Sequence, residues 1–143
     1  MTAVLETVAR RAAEASPLWG SALLAEPRGD LRFAGRCPER HLLGVETIYE
    51  GYLLHHGTSR LFDQDDRDLA VLTGDYLYAA GLREICATGD LEAVGALAEL
   101  IAACAARRGD GEPEADDALW DETVAGLRSQ GVGSRASSGR RPA

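Results

Sequence analysis

The chain has 143 residues, 15 of them basic and 23 acidic, for a formal net charge of −8, a length that fits one domain and leaves no room for a second core. All the basic residues are Arg, and three of them lie in residues 129–143, which hold no acid. The preceding body therefore sets 12 basic residues against 23 acids, a balance of −11, and that field argues against nucleic acid as a partner. The longest apolar run, residues 100–106, has seven members against the roughly 20 needed to cross a bilayer.

In the first segment, Thr2 is placed to cap a helix whose apolar set, Val4, Leu5, Val8, Ala9 and Ala12, recurs at three and four residues. Glu6 and the pair Arg10 and Arg11 interrupt what a secretory leader would need as an apolar core, so a cytoplasmic protein is expected. Ser16 and Pro17 suit the start of a second, short helix running to about residue 25 and carrying Trp19, Leu23 and Leu24. From 26 to 37, Pro and Gly break every period and predict a loop.

A long helix is predicted from about Pro38 to His56, with Gly57 as its stop. Its expected buried stripe is Leu42, Val45, Tyr49, Tyr52, Leu53 and His56. Glu46 and Glu50 share another face, four residues apart, and repel each other unless a cation sits nearby.

After a polar loop at 58–64, Asp65 or Asp66 is placed to cap a helix continuing to Thr88, where Gly89 stops it. One stripe of that helix is Leu69, Leu72, Tyr76 and Ala80; a second is Val71, Tyr78, Leu82 and Ile85, and Asp75 falls on the second. Asp90 caps the next helix, about 91–107, with the stripe Val94, Leu97, Ala98, Ile101, Cys104 and Ala105. A loop at 109–113 leads to a last helix bearing Leu119, Trp120, Val124 and Leu127. Residues 1–128 are thus expected to form one all-α, antiparallel bundle of five to six helices, and the Gly, Ser and Arg tail at 129–143 to be disordered.

The chemistry-bearing residues are few. Cys37, Cys86 and Cys104 are odd in number and form no CxxC, which predicts reduced thiols, with Cys86 and Cys104 in packing roles. His55 and His56 point about 100° apart on a helix, and His41 lies about 21 Å away along it, so no His metal site is expected. The run Asp63, Asp65, Asp66, Asp68 lacks the Gly and Glu of a calcium loop and reads as capping and solvation. Asp75, among apolar neighbours, must be paired, hydrogen-bonded or protonated. It is expected either to pair with Arg60, Arg83 or a tyrosine hydroxyl, or to serve as a functional acid.

From Val45 to Ala106 the sequence resembles the middle of trans-isoprenyl diphosphate synthases. Val45-Glu46 opens, and Leu53-Leu54-His55 closes, a segment similar to that family's helix VE-x-x-H-x-x-S-L-x-H-D-D, while Leu69 to Ala80, LAVLTGDYLYAA, is similar to its L-A-x-L-A-G-D-x-L-x-x-x-A. The family binds magnesium and an allylic diphosphate through a DDxxD motif directly after that His. Here His56-Gly57-Thr58-Ser59-Arg60 stands in its place. Another register would set Glu46 and Glu50 at aspartate positions, at the expense of the other matches. The family's RRG segment has no counterpart, and its members are about twice as long, with a second aspartate-rich motif beyond this chain's end. The resemblance therefore implies an isoprenoid-synthase-like bundle that is non-catalytic: an interaction or accessory subunit forming a homodimer or joining a larger prenyl synthase. It needs no cofactor, magnesium entering only if the diphosphate site survives. Two alternatives stay open. One is a small enzyme or ligand-binding protein for isoprenyl diphosphates, with Asp75 as its catalytic candidate and Glu46, Glu50, His55, His56 and Arg60 as binding candidates; the other is an unrelated helical interaction domain.

Overall fold

Among the described residues six α-helices make the architecture, α1 (Ala3–Ala15), α2 (Pro17–Ser21), α3 (Glu39–His56), α4 (Arg67–Cys86), α5 (Leu91–Gly109) and α6 (Asp116–Gly139), with one 3-10 turn at Pro113–Ala115. The computed structural model describes residues 2–111 and 113–139, apart from the side chains of 113 and 129–139. An all-α bundle is thus the fold.

Local chemistry sets most helix ends. The Thr2 hydroxyl accepts from the Leu5 amide and the Ser16 hydroxyl from Leu18, with Pro17 in the first turn of α2. The Asp66 and Asp90 carboxylates accept from Leu69 and Ala93, and each offsets an amide that the helix itself leaves unpaired. Gly89, at φ 83, makes the turn between α4 and α5.

The predicted ends fail at α2, which stops at Ser21 rather than near 25. The chain there takes a better set of partners. The Leu24 amide donates to the Leu61 carbonyl at 2.8 Å and the Asp63 amide to the Ala22 carbonyl at 2.8 Å, with Leu23 bridging antiparallel to Phe62. The predicted polar loop at 58–64 is correspondingly not polar in its packing, since Ser59, Arg60, Leu61 and Phe62 are all buried. At the other end, α6 continues to Gly139, past Arg128, where the sequence predicts the tail to begin; residues 140–143 lie outside the described ones.

Helices α3 and α4 form the central antiparallel pair, held unusually close by glycine. Gly44 faces Gly81 and Gly51 faces Gly74, so each helix presents bare backbone to the other one turn-pair apart. A Cβ at Gly51 would stand 2.9 Å from the Gly74 carbonyl oxygen, and one at Gly44 3.1 Å from that of Gly81. This approach corrects the stripes predicted for α4. Its buried face is Ala70, Thr73, Gly74, Leu77, Gly81 and Ile85, whereas Leu72 is 54% exposed. Glycines mark the contact surface, where Ile85 packs over Gly44 and Ile48 over Gly81.

Two apolar clusters flank this pair. On one side Phe33, Val45, Ile48 and Tyr52 meet Leu97, Leu100, Trp120, Val124 and Leu127; on the other, Leu5, Val8 and Ala12 of α1 meet Leu54, Leu61, Phe62 and Leu77. Consequently α3 is buried well beyond its predicted stripe, with Glu46, Glu50 and Leu54 inaccessible and Tyr49, Leu53 and His56 only half-buried. On α5 the buried set is Ala93, Leu97, Leu100 and Cys104, while the predicted Ala98 and Ala105 are exposed.

Gly51→Ala is expected to lower stability by about 1–3 kcal/mol through overpacking, despite the roughly 1 kcal/mol by which Ala is the better helix former. Gly95, on α5, has open space where its Cβ would sit, and Gly95→Ala should instead add about 0.5–1 kcal/mol. Denaturant unfolding of the two variants checks the contrast.

Candidate functional site

Arg60 joins the two glutamates that the sequence leaves in need of a cation. Its side chain enters between the loop at 57–66 and α3, where Nε donates to Glu50 Oε1 at 2.8 Å and Nη1 to Glu46 Oε1 at 2.8 Å. Further donations reach the Asp30 carbonyl at 2.9 Å and the Glu46 carbonyl at 3.3 Å. Its Cζ stands 5.2 Å from the Tyr49 ring centroid, a cation–π contact in a dry setting.

The remaining carboxylate oxygens are filled by the chain itself. Glu46 Oε2 accepts from the amides of Arg32 at 2.9 Å and Phe33 at 2.6 Å. Glu50 Oε2 accepts from the Ser59 hydroxyl and from the amides of Arg60 at 3.0 Å and Leu61 at 3.3 Å. Both glutamates are 0% exposed and Arg60 is 6% exposed. Two carboxylates against one guanidinium leave a formal excess of one negative charge, which the converging amides and hydroxyl solvate. Burial alone would lower the Arg60 pKa, but Glu50 and Glu46 outweigh it and hold the guanidinium above its ordinary value.

Asp75 is corrected in both position and partner. Its side chain is 62% exposed, and it approaches neither Arg60 nor Arg83 but His55, with Nε2 3.0 Å from Oδ1. The two atoms are close but not aligned for a hydrogen bond, and Nε2 has no hydrogen-bond partner among the described residues. The His55 ring stacks on Tyr78 at 4.9 Å, nearly parallel, over the glycine at position 74. Thr73 and Gly74 fill the buried face of α4, and Asp75, about 100° further round the helix, is exposed; its apolar neighbours in sequence are not its neighbours in space.

His56 lies apart from that pair, its ring 5.2 Å from Tyr52. Burial lowers its pKa, and Arg108 and His55 push it the same way. It borders a second buried polar cluster, unmarked in the sequence. There the Tyr52 hydroxyl donates to Asp116 Oδ2 at 2.8 Å, and Arg108 Nη2 donates to the same oxygen at 3.2 Å. Burial and Asp116 push the Tyr52 phenol up to about 12. His41, fully buried, joins α3 to the cap of α5 with Nε2 3.0 Å from Asp90 Oδ2.

The candidate residues therefore separate into three places: Glu46, Glu50 and Arg60 inside; His55 and Asp75 at the surface of α3 and α4; His56 beside Tyr52. Ser59, Asp116 and Arg108 complete the buried sites and were not singled out by the sequence, whereas Tyr52 was expected on the buried stripe of α3 but not in a polar cluster. Among the described residues, no group of three or more His, Cys, Asp or Glu side chains could hold a metal ion, and no described helix is long and apolar enough to cross a membrane. The cysteines are free; Cys37 and Cys104 are buried, burial pushing each thiol up to about 11, while Cys86, expected to pack, is exposed. No family model, curated protein or solved structure matches the chain.

Arg60→Ala is expected to cost about 3–5 kcal/mol, because it strands two buried carboxylates. Asp75→Ala, in contrast, should stay within about 0.5 kcal/mol, the range of an exposed pair. Thermal and denaturant melts of the two variants distinguish a buried clamp from a buried acid at 75.

Proposed function

We propose that the chain is a non-catalytic helical protein that works as an interaction or accessory subunit, built on a plan similar to the middle of trans-isoprenyl diphosphate synthases. The carrying observation is the clamp: Glu46 and Glu50, the acids that could have faced a magnesium ion, have their oxygens taken by Arg60, Ser59 and four backbone amides. A metal would have to displace a buried guanidinium from both carboxylates at once, at the full cost of stranding it. In the register that aligns His55, the stretch from His56 to Arg60 occupies the place of the aspartate-rich motif. It exposes Gly57 and Thr58 and sends Ser59 and Arg60 inward, the reverse of a loop that presents ligands to a substrate.

The enzyme alternative names Asp75 as its acid with Glu46, Glu50, His55, His56 and Arg60 around it; what favours the non-catalytic reading over it is that Asp75 stands exposed beside His55, apart from the buried Glu46, Glu50 and Arg60. The reading takes the protein as cytoplasmic, with a protein partner in place of a substrate. Titration calorimetry of the full chain with farnesyl diphosphate, with and without magnesium, is expected to give no binding heat in either condition. Magnesium-dependent binding would overturn the non-catalytic reading.

A further inference from the structure

Helix α4 turns one face to α3 and leaves the opposite face open. At 100° per residue, Asp68, Leu72, Tyr76, Ala79 and Arg83 fall within an arc of about 80°, opposite the buried Ala70, Leu77 and Gly81. Asp68, Leu72, Ala79 and Arg83 are exposed; Tyr76 is half-buried and stacks on Trp19 of α2, with ring centroids 5.6 Å apart. Leu72, at 54%, is one of three large apolar side chains left exposed among the described residues. A helix face meant only for water ordinarily carries polar and charged side chains throughout. This one sets an apolar centre, Leu72 and Ala79 beside the Tyr76 ring, between an acid at one end and a cation at the other. Neither Asp68 nor Arg83 forms an ion pair among the described residues.

The face matches its own reverse. Asp68 and Arg83 lie equally far from the midpoint between Asp75 and Tyr76, and so do Leu72 and Ala79. A two-fold axis at that midpoint lays a second α4 antiparallel on the first. It brings Arg83 of the copy to the Asp68 end and sets the large Leu72 against the small Ala79, each contact occurring twice. Residues 68 and 72, like 79 and 83, stand four apart, the rows that interdigitate in the commonest helix packing. The Asp68 end is acidic beyond that one residue. A cleft of about 190 Å³ between α2 and the start of α4 is lined by Ser21, Ala22, Asp63, Asp65, Asp66 and Leu69, so an arriving guanidinium meets complementary charge. Asp75, at the edge of the face beside His55, stays at the wet rim. We propose that the chain forms a two-fold homodimer through the outer face of α4, with Leu72 against Ala79 at its centre and Arg83 of each copy at the acidic end of the other. This rests on the accessory-subunit reading and names a second copy of the chain as the partner.

Analytical ultracentrifugation of the full chain tests this, over concentrations from about 1 μM to about 1 mM that bracket weak specific pairs. The chain should show a monomer–dimer equilibrium. Leu72→Arg, Asp68→Arg and Arg83→Asp, all at exposed positions, should each weaken it at least about tenfold, while circular dichroism confirms the fold. An equimolar mixture of the Asp68→Arg and Arg83→Asp chains should dimerise again, because in the mixed pair every Arg faces an Asp; a folding defect is not repaired by mixing. A monomer across the whole range, a dimer that Leu72→Arg leaves intact, or a mixture that associates no more tightly than its components would each overturn the proposal. Such a failure, with farnesyl diphosphate still giving no heat, removes the dimer and leaves the non-catalytic reading standing. Magnesium-dependent farnesyl diphosphate binding removes that reading instead.

Discussion

Two carboxylates and a guanidinium withdrawn from water cost several kcal/mol per ion unless each polar atom is met inside, and that requirement shapes the protein around α3. Glu46 and Glu50 stand one turn apart and face Arg60 from the loop after the helix, and their second oxygens gather the amides of Arg32, Phe33, Arg60 and Leu61. The two long loops are thereby held to one helix. Arg28 adds to this, its amide donating to the Arg60 carbonyl at 2.9 Å and its Nε to that of Ser59 at 3.0 Å. Gly29, at φ 81, lets the chain pass over the Arg60 side chain, where a Cβ would meet Cγ at 3.1 Å.

The clamp and the glycine contact share one helix. Glu46 and Glu50 are buried on α3, and the Gly44–Gly81 and Gly51–Gly74 crossings let α4 lie against the same α3 backbone. The aromatic group of Phe33, Tyr49, Tyr52 and Trp120 then closes the clamp from the α6 side, with Tyr49 edge-on to Trp120 at 5.1 Å. A loop held this tightly by internal ions is poorly suited to opening around a substrate.

Capping residues made the helices legible in the sequence, because Thr2, Ser16, Asp66 and Asp90 act within three residues of themselves. The faces of α3 and α4 were not legible by the same means. A hydrophobic period assumes that large apolar residues mark the contact, and here the contact is made by Gly44, Gly51, Gly74 and Gly81, which carry no hydropathy signal; Leu72 and Asp75 were misplaced together as a result. The need of Glu46 and Glu50 for a cation was readable from their spacing. That Arg60 supplies it was not, since the loop around it looks polar in sequence and the pairing spans 14 residues to Glu46 and 10 to Glu50. The one available signal was the pair Leu61 and Phe62 beside Arg60, an apolar step that drags its neighbour inward.

The central claim is that the clamp is a permanent part of the core and not a loop that opens. Native-state hydrogen exchange reads this at the amides that the two glutamates hold. The amides of Phe33 and Arg60 should exchange only through global unfolding, within about tenfold of the slowest amides in the middle of α3. Exchange at the rates of exposed loop amides such as those of Thr58 would contradict it, and would mean that Glu46 and Glu50 are released to solvent often enough to meet a ligand.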